Sequence, residues 1–215
     1  MKHLKLLFLT VVVAAGVVAA GGVGSASATA LCTVPMEPCP AASKITTTSD
    51  NVLNVELESG TSTQFRETSS SVFETCTGSS FKAKVKQAGS VAETFVATIA
   101  ASDFSWSGCV GSGSVVAVAG GELEIHRVLG TQRGTITASG LDIKISSAFT
   151  SCTYTVPTKT DIGLLTPSLS STSEATIEIE ALLLKKEGAL GCVSDFRWLG
   201  VYRVTEPKPL YVVSG

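Results

Sequence analysis

The sequence carries little charge, few motifs of chemistry and, once its first residues are set aside, a single histidine. Charged residues make up 16% of the chain, and of its two histidines His3 lies in the opening basic segment, which leaves His126. No Cys-x-x-Cys pair occurs, so thioredoxin-like redox work and zinc-ribbon binding lose their usual signatures. No Gly-x-Ser-x-Gly elbow is present, and Gly111-Ser-Gly-Ser114 reads as a flexible turn rather than a nucleophile's seat. The glycine-rich dinucleotide fingerprint, the P-loop and the Asp-rich calcium loop are missing too, so no cofactor is implied.

The C-terminus lacks a hydrophobic tail and a basic cluster, and so shows no second membrane attachment. Basic residues are scarce overall. Without Lys2 and Lys5, fourteen Lys/Arg face eighteen Asp/Glu. That balance argues against nucleic acid as a partner, because phosphate recognition needs a basic patch.

What is present begins with an export signal over residues 1–30. Lys2, His3 and Lys5 precede an apolar, uncharged run from Leu6 to Gly24, and Ala26-Ser-Ala28 and Ala28-Thr-Ala30 are both small-x-small cleavage sites. Cleavage before Leu31 is favoured and leaves about 185 residues, with no membrane span. Leu31 does not suit a lipid signal on Cys32, which wants a small residue there. The remaining length suits one domain, residues 45–215, preceded by a Pro/Cys-rich loop over residues 31–44.

Six cysteines in an exported chain read first as disulfides. Cys32 and Cys39 would staple the Pro-rich loop. For the other four, Cys76–Cys109 with Cys152–Cys192 is preferred over Cys76–Cys192 with Cys109–Cys152. Both pairings respect a weak internal repeat, in which Val72-Phe-Glu-Thr-Cys-Thr77 resembles Ala148-Phe-Thr-Ser-Cys-Thr153 and Gly108-Cys-Val110 resembles Gly191-Cys-Val193, and the first is the simpler for two equivalent halves. Two copies suggest duplication within one domain.

Between these landmarks the apolar residues recur with period two. Leu53/Val55/Leu57, Phe81/Ala83/Val85, Phe95/Ala97/Ile99, Leu123/Ile125, Leu141/Ile143/Ile145 and Ala175/Ile177/Ile179/Ala181 each alternate with outward partners. Such alternation marks strands buried on one face and wet on the other. Gly120-Gly121 predicts a two-residue hairpin joining Val115–Val118 to the strand that follows. Residues 180–188 read as strand continuation rather than a helical turn. Phe196, Trp198, Tyr202 and Val204 share one face of a long closing strand, with Gly200 in the gap. The expected fold is all-β, a disulfide-stapled sandwich or barrel of about ten short strands, and the repeat suggests two similar halves.

In the closing stretch Cys192, Trp198, Tyr202 and Val204 are followed by Pro209-Leu-Tyr-Val212. With the scattered Phe-x-Ser/Thr-Cys motifs, this pattern resembles a group of Ser/Thr/Gly-rich secreted β proteins of high-GC Gram-positive bacteria. The resemblance implies export and a β fold, and no particular activity.

Glu122, Glu124 and His126 fall at i, i+2 and i+4 of a strand, and so on one face. Two carboxylates and an imidazole could ligate a divalent metal or supply acid–base groups. A solvated face beside a turn is the plainer reading. Glu56/Glu58 and Glu178/Glu180 repeat the spacing, which makes it look like a surface habit answered by Lys82, Lys84 and Lys86. Trp106 and Trp198 could stack on a flat ligand, but core packing fits their size better. The leading expectation is therefore an exported, non-enzymatic binding or structural module with an extracellular or cell-envelope partner. The alternatives are a secreted carboxylate-dependent hydrolase of polymers and a carrier of small apolar ligands.

Overall fold

The computed structural model describes residues 28–48, 51–67, 72–111, 113–188 and 190–215. The described strands are, in chain order, β1 (Ala30–Cys32), β2 (Val52–Leu57), β3 (Thr63–Glu67), β4 (Val72–Ser90) and β5 (Glu93–Ile99). Then come β6 (Phe104–Gly111), β7 (Gly113–Ala119), β8 (Gly121–Arg127), β9 (Gly134–Ser139) and β10 (Asp142–Ser147). The chain closes with β11 (Ser151–Thr155), β12 (Thr160–Thr166), β13 (Ala175–Gly188), β14 (Asp195–Glu206) and β15 (Tyr211–Val213).

Eight of them close a barrel through antiparallel ladders, in the order β2-β4-β5-β8-β9-β12-β13-β14 and back to β2. The alternation read from the sequence sets which side faces in. Leu53, Val55, Phe81, Val85, Phe95, Leu123, Ile125, Ile177, Ile179 and Trp198 fill the interior. Lys82, Lys84, Glu122, Glu124, Glu178 and Glu180 are left on the outer wall. A charged exterior around an apolar core is the reverse of a transmembrane barrel. Among the described residues no helix is long and apolar enough to cross a membrane.

β4, β13 and β14 are longer than the barrel needs, and their surplus carries the outer strands. β3 lies between β14 and β4, β6 pairs with β4, and β11, β10 and β7 follow from β13. A second apolar layer grows under this extension from Phe65, Ile143, Ile145, Tyr154, Leu183 and Phe196. Trp198 belongs to both layers, since it lines the interior of the barrel and stacks over Phe65. The 180–188 segment continues β13, as its periodicity implies.

Three sequence expectations need correction. Gly120-Gly121 does not make a hairpin: β7 pairs with β10, whereas β8 pairs with β5 and β9. The glycines serve close backbone approach, since a Cβ at Gly120 would collide with the Ile99 carbonyl and one at Gly121 with that of Ser139. The described strands number fifteen rather than about ten, because β1, β3, β6, β9, β11 and β12 form in segments that the alternation did not single out.

The 31–44 segment, expected as a loop, begins as a strand. β1 pairs with β15 and also includes Ala30, opposite Val213. Residues 1–27 of the expected signal lie outside the described residues. Thr29 and Ala30 are buried, and Thr29 Oγ1 accepts the Arg127 amide at 2.9 Å. Cleavage before Thr29 keeps these contacts in the chain, whereas cleavage before Leu31 removes them.

Candidate functional site

The β8 triad is assembled as its spacing implies, on the outward face of the barrel wall. Glu124 Oε2 lies 3.5 Å from His126 Nε2, and the same ring nitrogen is 3.4 Å from Thr137 Oγ1 on β9. Both neighbours of this face are cations. Lys86 on β4 pairs with Glu122, and Lys159 reaches Glu124 at 3.5 Å. The surroundings are the outer wall of the barrel, where both carboxylates are taken up in ion pairs.

Among the described residues, three ligand-type side chains converge elsewhere, at Glu74, Cys76 and Cys109, within 4.8 Å of one another. The two sulfurs there are bonded to each other, so neither is a thiolate able to hold a metal.

The other Glu-x-Glu pairs also have local partners, though not the lysines expected. Glu56 faces Arg203 at 3.6 Å and Glu180 faces Arg197 at 2.6 Å. Lys82 instead lines an open groove of about 560 Å³ with Asn54, Glu56, Asp103, Glu206 and Lys208. A second groove, of about 480 Å³, runs over β12, β13 and β14, where Gly163 and Gly200 leave the wall thin above Glu178 and Glu180. Both grooves lie open on the surface. Inside the barrel, the cavity lined by Phe81, Leu123, Ile162, Ile177 and Trp198 measures about 20 Å³. A small-molecule site needs on the order of 300–1,000 Å³. The apolar-ligand carrier therefore has no room in this cavity.

The aromatic residues of the closing strand are core, and they hold a polar cluster that periodicity alone does not reveal. Trp198 Nε1 donates to Thr63 Oγ1 at 3.0 Å and to Tyr202 Oη at 3.1 Å. Tyr202 Oη donates to Thr63 Oγ1 at 3.1 Å, lies 3.1 Å from Ser79 Oγ, and Thr63 passes its own proton to the Leu199 carbonyl at 2.9 Å. Gly200 makes the space: a Cβ there would sit 2.6 Å from the Tyr202 ring. Trp106 stacks on Phe104 at 5.3 Å and meets Trp198 edge-on at 6.2 Å. Its buried Nε1 has no partner. Trp198 is fully buried, and Trp106, partly buried, has one face covered by Phe104.

Burial shapes the phenols. Tyr202 is pushed above its ordinary value of 10.0 by desolvation, which its hydrogen bonds to Ser79, Thr63 and Trp198 only partly offset. Tyr154 is pushed up to about 12, first by burial and then by the carboxylates of Glu67 and Asp195. Folded values above the unfolded one mean that the stabilisation is whole below pH 10 and is lost as pH rises from there through about 12. An absorbance titration of phenolate should show Tyr154 ionising near pH 12, with the melting midpoint falling over the same window. Native-state titration of both phenols near pH 10 would contradict this packing.

The three disulfides join Cys32 to Cys39, Cys76 to Cys109 and Cys152 to Cys192. The last two stand at one end of the molecule, where four pairs of strand ends gather. β6 ends opposite the start of β4, with Gly111 facing Glu74. β7 starts beside the end of β10, with Gly113 facing Ser147. β11 starts beside the end of β13, with Cys152 facing Gly188. β3 ends beside the start of β14, with Glu67 facing Phe196.

Glu74 is buried beneath this end. Its Oε2 accepts the Gly113 amide at 3.1 Å, tying the β6–β7 connection to β4, while Oε1 has no partner. Both repeat copies come to this end, but not into equivalent surroundings. Phe73 packs edge-on against Phe196 at 5.4 Å, whereas its counterpart Phe149 is 97% exposed. Phe149 and Glu74 are the residues that sequence reasoning passed over; the repeat was the signal that could have singled out Phe149.

No family model, curated protein or solved structure matches this chain.

Proposed function

We propose that this chain is an exported, non-enzymatic β module that acts outside the cell or at its surface by binding an envelope or extracellular partner, or as a structural component. The observation that carries this reading is the placement of the carboxylates. Glu122 and Glu124 stand on the outer wall of the barrel, paired with Lys86 and Lys159, and neither lines the interior cavity. General acid–base work calls for a carboxylate held beside the substrate and tuned by its surroundings. An oxidising compartment is supported by the three disulfides, which persist where thiols are not kept reduced. The basic and apolar opening of the sequence supports export in the same direction.

The test is a triple variant, Glu122→Gln, Glu124→Gln and His126→Asn, compared with the wild type on cell-envelope polymers and in a pull-down from envelope material. The module reading expects the variant to retain every captured partner and the wild type to degrade none of the polymers. A wild type that cleaves a polymer, with the triple variant inactive, would establish the carboxylate-dependent hydrolase instead.

A further inference from the structure

We infer that the disulfide-bearing end of the molecule is a docking tip for the interfacial layer of a lipid bilayer. This rests on the reading of the chain as a binding module and names the surface and the partner. Three apolar side chains are exposed at that end: Val110 near the end of β6, Phe149 between β10 and β11, and Leu190 between β13 and β14 are 77%, 97% and 100% exposed.

Phe149 is presented by an ordered turn. Ser147 donates its amide to the Thr150 carbonyl at 2.7 Å, and its hydroxyl accepts the amides of Phe149 and Thr150 at 3.3 and 3.1 Å. The neighbouring connection is close by, since a Cβ on Gly191 would touch the Thr150 methyl at 3.5 Å. Cys152–Cys192 and Cys76–Cys109 hold the bases of these connections, and Glu74 holds the third at Gly113. The tip is thus apolar, protruding and braced.

A second, independent feature is the absence of charge. The described residues 107–111, 113–114, 146–153, 188 and 190–194 contain no Asp, Glu, Lys or Arg, and the charges next to them, Glu67, Glu187 and Asp195, sit within strands β3, β13 and β14. The opposite end also has exposed apolar residues, Val91, Leu129 and Leu169, but there Arg133 and Glu174 lie within the turns themselves. A charge carried into the acyl boundary is costly, so an uncharged tip is the end able to enter it.

Shape and area select lipid over a second copy of this chain. The three side chains expose on the order of 400 Å², against about 800 Å² per partner in a standard protein–protein interface. They also protrude singly, where a protein partner would need a matching concavity for each. A fluid bilayer accommodates separate insertions, and each adds to binding on its own. With more acidic than basic residues in the chain, anionic lipid adds no attraction. The expected partition is weak and reversible, on the order of 10³–10⁴ M⁻¹, no stronger than one myristoyl chain.

The experiment is co-sedimentation of the mature protein with phosphatidylcholine vesicles, with and without about 30% phosphatidylglycerol. Binding to both, with little response to salt, is the expected result. Phe149→Ser should weaken it about tenfold, equal to about 1.4 kcal/mol, and Phe149→Ser with Leu190→Ser should abolish it. Leu129→Ser with Leu169→Ser, at the other end, should change nothing. Phe149→Trp should keep binding and shift its fluorescence to the blue on vesicles, which excludes misfolding as the cause of the serine variants' loss.

Equal losses from both ends, or binding only to anionic vesicles that salt abolishes, would overturn the inference. So would absence of vesicle binding. In that last case, capture of an identified glycan or protein partner from envelope material leaves the module reading standing, and failure of both assays removes both.

Discussion

Replacing Trp198 by alanine should lower the unfolding free energy by about 3–5 kcal/mol, at the upper end of what a core truncation costs. Trp198 is in contact with both apolar layers. It stacks over Phe65 at 6.4 Å and meets Phe104, Trp106 and Tyr202 edge-on at 6.1, 6.2 and 6.1 Å. Truncation therefore opens a cavity at the junction of barrel and outer strands, where neither layer can collapse without breaking the β13–β14 ladder. It also removes the indole N–H from Thr63 and Tyr202, leaving buried oxygens short of a donor.

For a chain of this size the loss corresponds to a fall in melting midpoint of roughly 6–20 °C. Tyr202→Phe separates the two contributions, since it keeps the ring and removes only the hydroxyl at the centre of the cluster. It should cost about 1–2 kcal/mol. Chemical denaturation of the three proteins side by side provides the measurement. A Trp198→Ala protein no less stable than Tyr202→Phe would show that the cavity is not formed.

Breaking the Cys152–Cys192 link, by Cys152→Ser with Cys192→Ser, should cost about 4 kcal/mol, because the bond closes a loop spanning 40 residues and restricts the unfolded chain accordingly. The effect should be local as well as global. In the native protein this bond holds the β13–β14 connection against β11, so hydrogen exchange should accelerate first over residues 188–194 and 147–153 and spare the barrel strands β5, β8 and β9. Uniform acceleration across the barrel would mean that the link braces the whole fold rather than one end. Cys32–Cys39 closes a separation of 7 residues and should contribute less, about 2.5 kcal/mol.

Period-two alternation was enough to assign the inside and outside of the barrel strands. The reason is local: successive side chains of a strand point to opposite faces whatever it pairs with. That is why Leu53, Phe81, Phe95, Leu123, Ile177 and Trp198 were legible as core and Glu122, Glu124 and His126 as a shared outer face. The same rule says nothing about neighbours. Gly120-Gly121 had the composition of a hairpin, yet the strands on either side of it belong to different layers. The cations that close the β8 face come from Lys86 and from Lys159, residues 36 and 35 positions away from their carboxylates in the chain. Thr63 and Ser79 acquired their roles only because β3 and β4 bring hydroxyls under the closing strand.

By itself the sequence determined the β class, the faces of its strands, the cysteine count and the shortage of catalytic motifs, since each depends on residue type and short-range spacing. Tertiary structure decided what those features serve. Ladder pairing over long separations closed eight strands into a filled barrel and set the carboxylates on its outer side. It also carried Val110, Phe149 and Leu190, far apart in the chain, to one end. Long-range pairing is decided by packing complementarity among all strands at once, and no local window contains that information.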